Sequence, residues 1–81
     1  MKNRGIIFDQ QFREDLRYWY KIDKKLAFRI LDLIEAITLD PFSGIGKPEP
    51  LKYFEANTWS RRINQEHRLV YRILDDRIEF L

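Results

Sequence analysis

Eighty-one residues, 44% of them hydrophobic and 15% aromatic, make one small domain spanning 1–81 with enough apolar material for a packed core. There is no cysteine, which excludes disulfides, thiolate chemistry and cysteine-based zinc sites, and the single histidine leaves any metal site to a carboxylate cluster that the sequence does not contain. The formal net charge is only +2, but residues 44–72 hold six basic against three acidic side chains and the remainder nine against ten, so the positive excess lies in one segment. That is the distribution expected of a surface that meets a polyanion, and equally of a solvated, mildly basic sheet face. Only three successive apolar residues precede Asp9, too few for a signal-peptide core, and no apolar run approaches membrane length. A cytoplasmic protein with no membrane partner and no metal or cofactor is expected.

Residues 4–8 (RGIIF) form a short apolar run that predicts a first strand. Asp9 stands at an N-cap position, and Phe12, Leu16, Trp19 and Tyr20 recur at helical spacing, giving helix one an aromatic face. Asp23 is placed to cap a second helix whose stripe is Leu26, Ile30, Leu33, Ile34 and Ile37, and Pro41 ends it. Residues 41–50 (PFSGIGKPEP) hold all three prolines and two of the three glycines and read as a structured loop. Strands are expected at 51–55 (LKYFE), 58–63 and 67–74, with a last one beginning at 77–81. In the stretch 67–74, Leu69, Tyr71 and Ile73 alternate with Arg68, Val70 and Arg72. The order β-α-α-β-β-β-β, with an incomplete last strand, predicts an α+β domain: a small antiparallel sheet with two N-terminal helices packed on one face.

The hairpin at 58–74 carries a geometric argument for chemistry. With residues 64–66 as its loop, Arg62 faces Arg68, and side chains directly opposed across antiparallel strands stand only about 4.5–5.5 Å apart at Cβ. Like charges repel at that separation unless an anion lies between them, and two forked guanidiniums suit a phosphate gaining charge in a pentavalent transition state. A one-residue slip would put Arg61 opposite instead. Alternatively, these arginines pair with Glu49 and Glu66 in a surface ion network. Glu49 lies between Pro48 and Pro50, which restrict its backbone; a carboxylate so held can act as a general base toward a 2′-hydroxyl, or simply pair with Lys47 or Lys52. Lys52 is placed to neutralise a phosphate oxygen, or is a surface lysine. His67, though the only histidine, falls by alternation on the face opposite Arg68.

Three blocks, GKPEPLK at 46–52, WSRRI at 59–63 and EHRLVY at 66–71, stand in an order and spacing that resemble the YoeB (Txe/YoeB) toxins of type II toxin–antitoxin modules, within the RelE-like superfamily. The resemblance covers nearly the whole chain. It implies a RelE-like fold and a metal-independent, ribosome-dependent endoribonuclease (an mRNA interferase) that cuts mRNA in the ribosomal A site by 2′-hydroxyl attack. It also implies restraint by a YefM-like antitoxin whose acidic tail folds over the basic face. By residue, it makes Glu49 the general base and Arg68 the main stabiliser of transition-state charge, with Lys52, Arg62 and Glu66 supporting them; Arg61 and Lys47 complete the set expected to bind phosphate or RNA or to support the site. His67 is not the catalytic acid in such chains.

YoeB-like chains continue into a Tyr-His-Tyr-like tail that supplies the general acid and a base-stacking aromatic, whereas this sequence ends at Leu81. No general acid is therefore assigned. If the chain ends there naturally, crippled catalysis is expected; if it is a truncated product, the fold and partner surfaces are expected to persist without activity. The second reading is accordingly a non-catalytic module that binds RNA, ribosome or antitoxin, and the third an α+β domain with a solvated basic sheet. Trp19, Tyr20 and the helix-two stripe offer more apolar surface than a small sheet covers, which leaves room for a homodimer.

Overall fold

A computed structural model describes residues 4–81. Strand β1 (Gly5–Phe8) leads straight into helix α1 (Gln10–Ile22), because Asp9 stays extended and its carboxylate accepts the N–H of Gln11 at 3.1 Å. Asp23 serves two helices at once. Its N–H donates to the Trp19 carbonyl and closes α1, while its carboxylate accepts the N–H of Leu26 and opens α2 (Lys24–Leu39). The N–H of Asp40 then closes α2 on the Ala36 carbonyl just before Pro41. The Asp40 carboxylate accepts from the Ser43 hydroxyl and the Phe42 N–H, and these bonds hold its pKa below the usual carboxylate range.

Four further strands follow: β2 (Glu49–Pro50), β3 (Thr58–Arg62), β4 (Arg68–Ile73) and β5 (Arg77–Phe80). The sheet runs in the order β1-β5-β4-β3-β2, antiparallel from β2 to β5. The α+β class and the helices on one face agree with the expectation, but the sheet is mixed rather than antiparallel throughout. β1 lies parallel to β5, with Ile6 opposite Ile78 and Phe8 opposite Phe80. Alternation along a strand says which side chains share a face; it carries no information on the direction of a neighbour contributed from the far end of the chain.

On the helix side, Phe12 of α1 and Ile30, Leu33 and Ile37 of α2 close over Leu69, Tyr71, Ile73, Ile78 and Phe80. Each such fully buried side chain stabilises by about 1.5–3 kcal/mol. Leu16 and Trp19 pack partly against this core, whereas Tyr20 points outward, with the Lys24 ammonium 5.2 Å from its ring centre. Among the described residues no helix is long and apolar enough to cross a membrane.

The strand expected at 51–55 does not form. Pairing with β3 stops at Pro50, the Leu51 N–H makes one bond to the Thr58 carbonyl, and the chain turns through Asn57 at φ 64°. Tyr53 is 98% exposed and Phe54 is also exposed, so the β-forming residues that suggested a strand have no surface to bury against.

Candidate functional site

Registers across the meander settle which side chains share the sheet face that the helices leave open. Arg62 pairs with Arg68, Ser60 with Val70 and with Glu49, and Thr58 with Arg72. Because directly paired residues project to the same side, Glu49, Ser60, Arg62, Arg68 and Arg72 occupy one surface. The loop reaches this face through Gly46, whose carbonyl accepts the Arg62 N–H at 2.6 Å and whose φ is +83°. A Cβ there would stand 2.8 Å from Leu33 Cδ2 and 3.1 Å from the Arg62 carbonyl oxygen, so only glycine lets the loop approach β3 this closely. Two residues after Lys47, itself in the left-handed region at φ 50°, Glu49 lines up beside Ser60.

Glu49 and Arg68 meet at 3.1 Å, Oε1 to Nη2, in a partly exposed ion pair. Arg68 is fixed from a second side: its Nε donates to the Ser60 hydroxyl at 2.9 Å, and Ser60 is buried. Arg62, directly across the hairpin, has no ion pair or side-chain hydrogen bond among the described residues. The arrangement is thus one oriented guanidinium, one free guanidinium opposite it and a carboxylate at the same spot.

Farther along the open face, Glu79 accepts from Arg72 Nε and Nη2 at 3.0 and 2.7 Å and from Arg77 Nε at 3.0 Å. Hydrogen bonds first from Arg77 and then from Arg72 hold the Glu79 carboxyl below the usual glutamate range. Arg72 also pairs with Glu55. This second cluster is internally neutralised, which leaves the unmatched positive charge at the Arg62 end.

The remaining expected site residues divide. Lys47 and Lys52 are exposed on the loop that carries Glu49. Glu66 lies in the β3–β4 turn, built on the Asn64 side chain accepting the N–H groups of Glu66 and His67, and its carboxylate is 85% exposed, 4.0 Å from His67 Nε2. His67 turns to the helix side, where its ring lies 4.9 Å from that of Trp19 in a cleft of about 350 Å³ lined also by Phe12, Leu16 and Ile63.

Arg61 requires a correction. Expected as an RNA contact, it is 0% exposed and faces the helices. Its Nε donates to the Tyr71 hydroxyl, its Nη1 to the Ile45 carbonyl and its Nη2 to the carbonyls of Asp40 and Ser43, while Tyr71 donates onward to Pro41. Strand parity decides this: Arg61 pairs with Leu69 on the core side, one position out of phase with Arg62. It is the clamp that shapes the loop from 40 to 45. Ser60, within the WSRRI block, is not among the expected site residues, yet the same parity places it on the Arg68 face.

The family model of YoeB-like toxins of bacterial type II toxin–antitoxin systems matches residues 8–81. The chain belongs to the YoeB family. Toxin YoeB of Mycobacterium bovis is 53% identical over 78 residues, covering 96% of this chain and 92% of that protein. Among solved structures, the YoeB dimer from Staphylococcus aureus aligns with a TM-score of 0.86 at 42% identity, covering 96% of this chain and 91% of that one. YoeB in the heterotetrameric YoeB–YefM toxin–antitoxin complex from the same organism aligns at 0.83 and 42%, over 95% and 90% of the two chains. The YoeB fold thus accounts for both helices and all five strands.

Proposed function

We propose that this YoeB-family chain is a ribosome-dependent mRNA endoribonuclease whose centre is the Glu49–Arg68–Arg62 constellation. The observation that carries the reading is the Arg62–Arg68 register, which sets two arginines directly opposite each other across the hairpin, one of them paired with a carboxylate. Glu49 takes the proton from the 2′-hydroxyl, and the 2′-oxygen attacks the adjacent phosphorus. Arg68, aimed by Ser60, and Arg62 from across the hairpin meet the charge that builds on the phosphorane oxygens. Lys47 and Lys52 draw the RNA backbone toward the loop, Glu66 orients groups at the hairpin end, and the departing 5′-oxygen is protonated from outside this set.

The same reading places the substrate, mRNA, in the bacterial ribosomal A site, so that the chain acts in the cytoplasm. A YefM-like antitoxin covers the Arg62 end, where unmatched positive charge would receive an acidic segment, and two copies of the chain associate as a homodimer. Both partner assignments are supported by the YoeB–YefM complex and YoeB dimer among its structural relatives.

The test is primer extension on a message translated by bacterial ribosomes, with the wild-type chain and Arg68→Ala. Cleavage by the wild type, reduced about 10²–10³-fold in the variant, is the expected result. Cleavage that survives in Arg68→Ala would move the centre elsewhere. An intact message with salt-dependent ribosome binding would make the chain a binding module instead.

A further inference from the structure

The loop between β2 and β3 is held at both ends. The Leu51 N–H donates to the Thr58 carbonyl, the Thr58 N–H to the Glu55 carbonyl, and the Ile73 N–H of β4 to the Asn57 carbonyl. The Glu55 carboxylate pairs with Arg72, which Glu79 holds in turn. Yet the two side chains at the tip of this fixed loop go unused. Tyr53 is 98% and Phe54 64% exposed, and neither ring meets another ring or a cation among the described residues. Adjacent large apolar side chains carried into water on an anchored backbone mark a place where something binds.

Phe54 overhangs the open face of the sheet, where with Glu55, Thr58, Arg72 and Leu81 it borders a hollow of about 290 Å³. Thr58 and Arg72 form one rung of that face, Ser60 and Val70 the next, and Arg62 and Arg68 the one after. At about 3.3 Å per residue, the hollow lies about 6.6 Å along β3 from the Ser60 rung, beside which Glu49 and Arg68 meet. Charge is divided between the two places. Arg72 is neutralised by Glu55 and Glu79, so the hollow suits a flat, uncharged group. Lys47, Lys52 and Arg62 have no carboxylate partner among the described residues and are left for anions. Flat uncharged rings strung on a polyanion describe a single-stranded nucleic acid. An apolar peptide would leave the three cations unmatched, and an acidic one would bring further carboxylates against Glu55 at the rim. We propose that Tyr53 and Phe54 are a stacking platform for the bases of single-stranded RNA, with one base seated in the hollow beside Phe54 and the phosphates running toward Arg62.

This rests on the nuclease reading above and deepens it, by giving a place to the base beside the phosphate that Arg62 and Arg68 receive. Every base has a π face, so the platform adds affinity with little preference for sequence. Because the Arg72–Glu55 pair and the three backbone bonds already fix the loop, the rings are presented without an ordering cost on binding.

The test uses a 2′-O-methyl RNA hexamer with one internal 2-aminopurine, whose emission falls when the base stacks and which 2′-hydroxyl attack cannot cut. Titration with the full chain should quench it, with an affinity that weakens as salt rises. Tyr53→Ala and Phe54→Ala should each raise the Kd about fivefold or more and reduce the quenching at saturation. Tyr53→Phe and Phe54→Trp keep a ring face and should stay within about threefold of wild type. Arg62→Ala should raise the Kd but leave the quenching at saturation intact, since it meets phosphate rather than base. Thermal unfolding of the aromatic variants should match the wild type, because neither ring is buried. No quenching by the wild type, or full quenching by Tyr53→Ala/Phe54→Ala, would overturn the platform; if that double variant instead lost affinity for a YefM-like antitoxin, the loop would belong to a protein contact. The nuclease reading fails separately: a message left intact by a wild type that still stacks the hexamer would overturn that reading and leave the platform standing.

Discussion

Arg62 and Arg68 are directly paired across β3 and β4, yet only Arg68 is held: Glu49 and Ser60 bind it, and Arg62 has no side-chain partner among the described residues. The asymmetry separates their roles. In the proposed reaction Arg68 is pre-oriented toward developing charge, whereas Arg62 supplies attraction without fixed direction. Arg62→Ala should therefore weaken cleavage chiefly through substrate affinity, with Arg68→Ala acting mainly on the rate of the cut. Single-turnover cleavage at saturating and subsaturating toxin would resolve the two, and equal losses of both kinds in both variants would contradict the division.

Ser60→Ala removes the hydroxyl that aims Arg68 without touching the guanidinium. Cleavage should fall roughly tenfold, less than in Arg68→Ala, because the Glu49 pair still restrains the side chain. In the double variant Ser60→Ala/Arg68→Ala, the serine change should have no additional effect. An undiminished serine effect on the Arg68→Ala background would mean that Ser60 acts independently of it.

Neighbours in sequence, Arg61 and Arg62 should behave oppositely in folding. Arg61→Ala strips partners from Tyr71 and from three loop carbonyls inside the protein and is expected to cost about 3–5 kcal/mol. Arg62→Ala, on the exposed side, should stay within about 0.5 kcal/mol of wild type. Urea unfolding of the two variants checks the contrast, and comparable midpoints would show that the buried clamp contributes little.

Gly46→Ala should destabilise by about 1–3 kcal/mol, since its φ is +83° and the added methyl would meet Leu33, Arg61 and the Arg62 carbonyl. Because the Gly46 carbonyl also seats the Glu49 loop by accepting the Arg62 N–H, cleavage should drop with stability. Thermal unfolding read alongside cleavage would expose a variant that loses neither.

The acid limb of stability should depend on Glu79. Its pKa is depressed in the folded chain by Arg77 and Arg72, so the folded state binds fewer protons than the unfolded one. The stabilisation is complete above the ordinary glutamate pKa and is lost as pH falls through the depressed folded value. Asp40, depressed mainly by Ser43, adds in the same direction. Stability measured against pH should therefore decline more gently on the acid side in Glu79→Gln, and an identical slope would assign the acid sensitivity elsewhere.

Both helices, their Asp9 and Asp23 caps and the Pro41 stop were legible in the sequence because capping and 3.6-residue periodicity act within a few residues of each other. The Arg62–Arg68 pairing followed from taking residues 64–66 as the hairpin loop, a short-range feature, while the one-residue slip that would have set Arg61 there was decided by the folded sheet. Tertiary structure alone decided the rest. The direction of β1 beside β5 joins residues about seventy positions apart, and no local pattern encodes it. Residues 51–55 looked like a strand until the sheet left Tyr53 and Phe54 nothing to pack on. Arg61, read as one more surface cation, became a core residue because Tyr71 and the carbonyls of a distant loop converge on it; a guanidinium can be buried only where the folded chain gathers enough acceptors to replace water.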